Sequence, residues 1–511
     1  MYSIRPANAD PATDWARQTW SELAARPDRA RTVVVLPVHG LADHGMGLPL
    51  DAEETVGSAV LHAAVAAAWL QPRVLVLPPL RLVAAPYAHA RFGVDVETVL
   101  ETLAAIVAGV HASGFSRVLF FNTSPWNAEC VATAALDART GLDLRTYVID
   151  SRGIGLGFHP ADTGRNRTQA VAARLLGRVP SHSPHGPVVR DTDFRPGFFE
   201  RPAPVPFDPA LDGEKLFVDS AAKLAGLLGE IVAHAAGIEH PKGTTLPPVC
   251  PPPQTVGGRS RELAGLMADE VARLPAKERA LVIIPAGSIE QHGHHLPLGT
   301  DAMLGDLRLE RMLPRLPADA PVYVAPAITY GKSNEHLGFA GTITLPARVL
   351  QRQLLALAAD LKALGFRQIA VLNSHGGNSA VIVATLREIQ TGLGLRAGML
   401  GGYHRPDQSP QEAAYGFHAG EWETSLMLAS APGLVRMDRA VCEYPASIEA
   451  AGGLRLDGGD AAYAWKTSDV SKSGVIGDAT LATAEKGARW LDESSAALAG
   501  KVLGLLANPG C

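Results

Sequence analysis

Four short stretches of this chain recur about 250 residues later, in the same order. "VVVLPVHGLADHGMGLPL" (33–50) aligns with "LVIIPAGSIEQHGHHLPL" (281–298), which sets His44 on His292 at an offset of 248. "LPPLRLVAAPYAHARFG" (77–93) aligns with "APAITYGKSNEHLGFAG" (325–341), with His89 on His336 at 247. "RVLFFNTSPWN" (117–127) aligns with "QIAVLNSHGGN" (368–378), with Asn122 on Asn373 at 251. "GFHPAD" (157–162) aligns with "GFHAGE" (416–421), with His159 on His418 at 259. Chance could give one such match but is a poor account of four in order. The chain therefore reads as a tandem duplication. Two domain-sized units make two copies of one fold, not a solenoid. A length of 511 residues agrees, because it exceeds what one ordinary core supports.

The boundary falls at "HPKGTTLPPVCPPPQ" (240–254), where six prolines exclude helix and central strand and leave a semi-rigid spacer. The expected division is a first domain over 1–239, a linker over 240–256 and a second domain over 257–511. Within each half, short β-rich runs such as "RALVIIPAGS", "PVYVAPAI" and "RQIAVLNS" alternate with stretches of helical periodicity, such as 348–364 and 378–393. That alternation predicts an α/β fold of parallel strands with helices on both faces. Ligands in such folds sit beyond the C-terminal ends of the strands. Residues 288–301 follow "LVIIP", and "NSHGGN" follows "QIAVL", so both lie where a site belongs.

Composition narrows the function classes. A net charge of −5 gives no basic footprint for nucleic acid or an anionic membrane. Cys130, Cys250, Cys442 and Cys511 show no paired spacing and suit a reducing compartment. The first residues carry no apolar signal-peptide core, and no apolar run reaches the roughly 20 residues of a membrane span. The expected location is the cytoplasm.

"SIEQHGHHLPLGTD" (288–301) crowds Glu290, His292, His294, His295 and Asp301 among prolines and glycines. Glu290 and His292 are two apart, so in an extended segment they point to the same side. Asp301 arrives after a turn, and His375 comes from the end of another strand. "HAGEWETS" (418–425) offers a further carboxylate, Glu421 or Glu423. Carboxylates and imidazoles without thiolates suit Zn²⁺, Mn²⁺ or Fe²⁺. Five ligands, several able to bridge, allow two ions. His294 and His295 are expected to support the ligands rather than bind metal.

"PAGSIEQHGHHLPLGTD", "NEHLGFAGTITL", "NSHGGN" and "HAGEWETS", in this order, resemble the creatininase family of metal-dependent amidohydrolases. The resemblance spans roughly 260–500. It implies a three-layer α/β/α domain, a dinuclear metal centre (Zn²⁺ first, Mn²⁺ or Fe²⁺ as alternatives) and a ring-shaped homo-oligomer. It makes Glu290, His292, Asp301 and His375 metal ligands, with Asp301 bridging. Creatininase itself has glutamate two residues after the last histidine, where this chain has Gly377. The resemblance then selects Glu421 as the remaining ligand, with Glu423 second, and places the catalytic histidine at His418. His336, Thr342, Ser374, Trp422 and Trp465 are the candidate substrate-lining residues. "TSDVSKSGVIGD" (467–478) is a candidate mobile cover.

The same alignment empties the first half. Glu290 becomes Ala42, Asp301 becomes Glu53, His375 becomes Ser124 and Glu421 becomes Asp162, while His44 stays. The faint copy is expected to keep the turns of the fold but not its metal chemistry. The expected function is hydrolysis of a small amide, cyclic or formyl, with no nucleic-acid or membrane partner. The alternatives are hydrolysis of a small modified peptide and a non-catalytic scaffold.

Overall fold

The computed structural model describes residues 10–67, 70, 73–85, 87, 89–159, 162–180, 205–237, 249–251, 261–400, 406–445, 454–455 and 461–507. The expected linker lies almost wholly outside them.

The first half builds a parallel sheet from β1 (Val33–His39), β2 (Val74–Val76), β3 (Leu80–Arg81), β4 (Arg117–Asn122) and β5 (Arg145–Asp150). The order is β2-β1-β4-β5, with β3 continuing alongside β1 after β2. The second half repeats this with β6 (Leu281–Ala286), β7 (Val322–Val324), β8 (Gln368–Asn373) and β9 (Arg396–Met399), in the order β7-β6-β8-β9. Every pairing in these two sheets is parallel. Pro37 and Pro285 stand at matching places in the central strands β1 and β6. Both fall where pairing to the neighbour on one side lapses, beyond Val35↔Val76 and Ile283↔Val324, so a residue lacking an N–H is tolerated there.

Helices cover both faces, as the strand–helix alternation predicts. In the first half α1 (Ala52–Val65), α4 (Arg165–Leu176) and α5 (Gly213–Ala236) lie on one side. Their Val56, Val60, Val171, Leu224 and Leu228 pack on Val33 and Val35. α2 (Val96–Ala112) and α3 (Ala128–Gly141) lie on the other, against Val34, Leu36 and Val38. Odd and even residues of β1 thus feed opposite layers, as a strand buried on both faces requires. In the second half α7 (Ala347–Ala363) and α8 (Ser379–Glu388) cover Val282 and Ile284. α6 (Thr300–Met312) and α10 (Ala484–Ala507) cover Leu281 and Ile283, and α9 (Glu421–Ser430) packs with them through Leu426, Met427, Trp490 and Leu491. Two three-layer α/β/α units result.

The halves share a core. Val99, Leu103 and Ile106 of α2 cluster with Ile289, Leu298, Ile343 and Val349 of the second half. α2 meets its repeat counterpart α7, through Arg348–Glu101 (2.8 Å) and Gln353–Thr102 (3.0 Å). The backbone contacts are reciprocal. Leu298 and Gly299 donate to Gln18 and Ala16 of the first half (2.9 and 2.8 Å). Leu50 and Asp51 donate to Leu266 and Ala264 of the second (3.0 Å each). Each partner in one set lies 248 residues from its partner in the other, so the chain folds as two like domains joined by a pseudo-two-fold seam.

The described cysteines Cys130, Cys250 and Cys442 are free. Among the described residues no helix is long and apolar enough to cross a membrane.

Candidate metal centre

Two strand ends deliver the site. β6 runs into 287–301, and β8 ends at Asn373, whose side chain closes the next turn. Asn373 Nδ2 donates to the His375 carbonyl (2.6 Å), and Asn373 Oδ1 accepts from the His375 N–H (3.3 Å). Asn122 makes the same turn around Ser124 in the first half. Asn378 ties Lys332 N to Gly287 O, and Asn127 ties Ala84 N to Leu82 O. The faint copy has kept the turns.

In the second half these turns gather Glu290, His292, Asp301, His336, His375, His418 and Glu423. Three sets of ligand atoms each lie within 4.8 Å of one another: Glu290–Asp301–His375, His292–His418–Glu423 and Glu290–His336–His418. The first six residues are buried; Glu423 is partly exposed. Among the described residues, no such set forms in the first half. There His44 Nε2 faces Glu53 Oε1 at 3.0 Å, Ala42 brings no ligand, and Ser124 stands in the place of a histidine.

Hydrogen bonds on the outer side of each ring fix its tautomer, because a carbonyl only accepts. His375 Nε2–H donates to Lys332 O (2.9 Å), which leaves Nδ1 facing Glu290 Oε1 and Asp301 Oδ2 at 3.2 Å each. His292 Nδ1–H donates to Glu290 O (3.1 Å), which leaves Nε2 facing Asp301 Oδ1 (3.3 Å) and Glu423 Oε2 (3.9 Å). His418 Nε2–H donates to Gln291 O (2.8 Å), which leaves Nδ1 toward Glu290 Oε1 (3.9 Å). His336 differs. Gln291 Oε1 accepts from Gly293 N (2.9 Å), so the amide turns its Nε2 donor to His336 Nδ1 (2.9 Å) and Gly474 O (3.0 Å). His336 Nδ1 accepts, its proton sits on Nε2, and that nitrogen faces Glu290 Oε1 at 3.2 Å. Three imidazoles therefore turn the nitrogen that does not bond the backbone inward, and the fourth presents a proton to Glu290.

The electrostatics follow. Burial alone would raise the Glu290 carboxyl, but the His336 and His375 rings outweigh it and hold it well below the usual carboxylate range. Burial opposes charge on His292, yet Asp301 above all, with Glu423 and Glu290, raises it to about 9. His375 moves up against the same opposition, through Glu290 and Asp301. His418 moves the other way: burial, then His336 and His292, push it well below its ordinary value. The carboxylates thus favour positive charge at the centre, while His418 stays neutral.

Several expected roles change. Glu421 stays out of the cluster. Its carboxylate pairs with Lys486 Nζ at 2.5 Å, and Glu423, two residues on and on the opposite side of α9, faces His292 instead. Ala419, at φ +53°, donates its N–H to Glu423 Oε2 (2.6 Å) and aims it. Gly377 has no room for a side chain. A Cβ there would overlap the Glu335 carboxylate and the Lys332 carbonyl and lie 2.5 Å from His375 Nε2. Thr342 Oγ1 accepts from the Gln291 backbone N–H (3.1 Å), and Ser374 Oγ donates to Ala286 O (3.1 Å). Trp422 packs in the α6–α9–α10 core under the Arg308 guanidinium. Trp465 sits beside exposed Phe417 (6.1 Å), one residue from His418. His294 and His295 take supporting places: His294 stacks on Trp20, and His295 bonds Thr424 Oγ1 (2.8 Å), its pKa lowered to about 3 by burial and by His292. Residues 467–478 are pinned rather than loose. Thr467 Oγ1 reaches His336 (2.8 Å), and Ile476 pairs in both directions with the backbone of His418.

Sequence reasoning missed Gln291. Lying between two inward residues of an extended run, it should point away. Gly474, at positive φ, leaves the space its side chain fills under the histidines, and the Gly293 N–H holds Gln291 Oε1 there (2.9 Å).

Comparison with known proteins agrees with this geometry. The family described as creatinine amidohydrolase (Creatininase) matches residues 16–186 and 264–502. "Mycofactocin precursor peptide peptidase" of Mycolicibacterium smegmatis is 34% identical over 215 residues, 42% of this chain and 80% of its own. "Creatinine amidohydrolase" of Pseudomonas putida is 32% identical over 196 residues, 34% of this chain and 74% of its own. "3-dehydro-scyllo-inosose hydrolase" of Thermotoga maritima is 30% identical over 239 residues, 41% of this chain and 72% of its own. With both halves matched by the one family, this chain belongs to the creatininase family, as two tandem copies of its domain, and is a hydrolase of C–N bonds.

Proposed function

We propose that the second half hydrolyses the C–N bond of a small amide with the help of two divalent cations, and that the first half holds none. One observation carries this. Glu290 Oε2, His292 Nε2 and Asp301 Oδ2 are sealed from solvent and make no hydrogen bond, although His292 Nε2–Asp301 Oδ1 and His375 Nδ1–Asp301 Oδ2 are only 3.3 and 3.2 Å apart. Buried polar atoms left so need an explanation, and cations between them supply one. The oxygen- and nitrogen-only donors fit Zn²⁺ or Mn²⁺. Glu290, Asp301 and His375 would hold one ion; His292, Asp301 and Glu423 the other. When bound, such ions polarise an amide carbonyl and bring a water to ionisation near neutral pH.

The chain's own residues do the rest. The N–H bonds to Lys332 O and Glu290 O keep the His375 and His292 lone pairs inward. His336 steadies Glu290. His418, neutral and with Nδ1 free of its backbone bond, takes the proton released by the attacking water and returns it from Nδ1 to the departing nitrogen.

A second reading keeps the chemistry and changes the substrate to a short modified peptide. The peptidase relatives, at 34–37% identity, favour it. The scaffold reading has no comparable support. The domain limits 1–239 and 257–511, a ring of several chains and a cytoplasmic location belong to the same proposal. The test is hydrolysis of a panel of lactams, formamides and short peptides by protein stripped of metal and reloaded with Zn²⁺ or Mn²⁺. Turnover that never depends on a divalent ion would refute the metal reading, and the substrate class turned over decides between amide and peptide.

A further inference from the structure

The seam between the halves is reciprocal in its backbone and unequal in its side chains. The one-turn helix Trp20–Ala24 of the first half reaches the metal-bearing half at two points. Trp20 Nε1 donates to the Ser473 carbonyl (3.1 Å), and its ring lies against His294 (4.7 Å) and Phe339 (5.2 Å). Glu22 Oε1 pairs with Arg436 Nε (3.0 Å), while Arg436 N donates to His295 O (2.8 Å). The counterpart of Trp20 at the repeat offset of 248 is Ala268, which has nothing to reach with.

What these contacts hold is the outer scaffolding of the candidate metal centre. Ser473 precedes Gly474, whose carbonyl takes the Gln291 amide that sets the His336 tautomer. Two residues on, Ile476 pairs with the His418 backbone. On the other side of the segment, Glu443 accepts from Ser471 Oγ (2.9 Å), Lys472 N (2.8 Å) and Ser473 N (2.9 Å). The 471–476 segment is thus clamped between Glu443 of its own half and Trp20 of the other. Glu22, through Arg436, braces the strand of backbone that carries His292 and His295.

We propose that Trp20 and Glu22 are positioning residues for the metal centre. The half that has lost its own ligands is retained because this helix completes the outer support of the site in the other half. The inference rests on the metal reading above, and its test separates the two.

Full-length Trp20→Ala, Trp20→Phe and Glu22→Gln proteins would be titrated with Zn²⁺ against a competing chelator and followed by amide hydrogen exchange. Loss of outer support lowers metal affinity by about 10–100-fold. Trp20→Ala should fall in that range, and exchange at Gly474, Val475 and Ile476 should speed up while β6 and β8 stay protected. Trp20→Phe keeps the ring and loses the indole N–H, so it should recover part of the affinity. Zn²⁺ affinity and 474–476 exchange equal to wild type in Trp20→Ala would overturn the proposal. If Trp20→Ala loosens the whole chain, Trp20→Phe and Glu22→Gln decide: a local effect supports it and no effect overturns it. If wild type itself binds no Zn²⁺, the metal reading fails, and exchange at 474–476 still judges the role of Trp20.

Discussion

Lys486 Nζ closes on the Glu421 carboxylate at 2.5 Å, on the side of α9 that turns away from His292. The two acids of "EWE" therefore have separate tasks. Glu423→Gln removes a proposed ligand and should lower Zn²⁺ affinity by at least about 100-fold, beyond the effect of losing an outer partner. Glu421→Gln should leave zinc stoichiometry unchanged and cost about 1–2 kcal/mol of stability, the scale of a hydrogen bond to a partly exposed charge. Metal analysis of dialysed variants, beside urea unfolding, distinguishes the two.

Gly377 is set by its neighbours. Gly377→Ala should push His375 off the Lys332 carbonyl and weaken Zn²⁺ binding by about 10–100-fold. Adjacent Gly376 has open space around its Cβ position, so Gly376→Ala should bind Zn²⁺ as wild type does. Competitive metal titration of both variants checks this; equal affinities would mean that the crowding at 377 is relieved without harm.

His39 gives the first half a pH dependence of its own. It is buried between Thr123 Oγ1 (2.7 Å) and Ser58 Oγ (3.1 Å), and burial lowers its pKa from 6.5 to about 4. The unfolded chain binds the extra proton first, so stability is full above about pH 6.5 and falls as the pH drops toward 4. The shift corresponds to about 3 kcal/mol by pH 4. Urea midpoints between pH 7.5 and 4.5 should decline in wild type and decline less steeply in His39→Gln.

The seam tolerates no bulk on α2. A Cβ at Gly109 would lie 3.0 Å from Ile343 Cγ1 and 3.1 Å from the Thr342 carbonyl. Gly109→Val should cost about 1–3 kcal/mol through overpacking. Because the halves share one core, thermal unfolding should show one lowered transition rather than a separated second one; differential scanning calorimetry reads this directly.

Much of this was legible in the chain. The duplication, the parallel α/β architecture, the strand-end position of the site and the company of Glu290, His292, Asp301 and His375 all follow from local pattern. So does the replacement of the matching groups in the first half, where Ala42 and Ser124 stand in the places of Glu290 and His375. Glu290, His292 and His375 come from turns whose Asn, Gly and Pro residues fix the backbone, as Asn373 does around His375, and Asp301 stands in the first turn of α6.

The rest depended on directions and on partners far away in sequence. The family resemblance selects Glu421 ahead of Glu423, but two residues of helix turn side chains to opposite faces, and the structure pairs Glu421 with Lys486 and turns Glu423 toward His292. Gln291, between Glu290 and His292, carries no signal of its inward place, which depends on the room that Gly474 leaves for its side chain. Trp20 carried no signal in sequence, because its partner lies 453 residues away. The amino-acid sequence alone determined what the chain repeats and which groups stand at its strand ends, because those are properties of neighbouring residues. Only the tertiary structure decided which of those groups face one another and which half braces the other, because such contacts form only when the two sheets pack across a common seam.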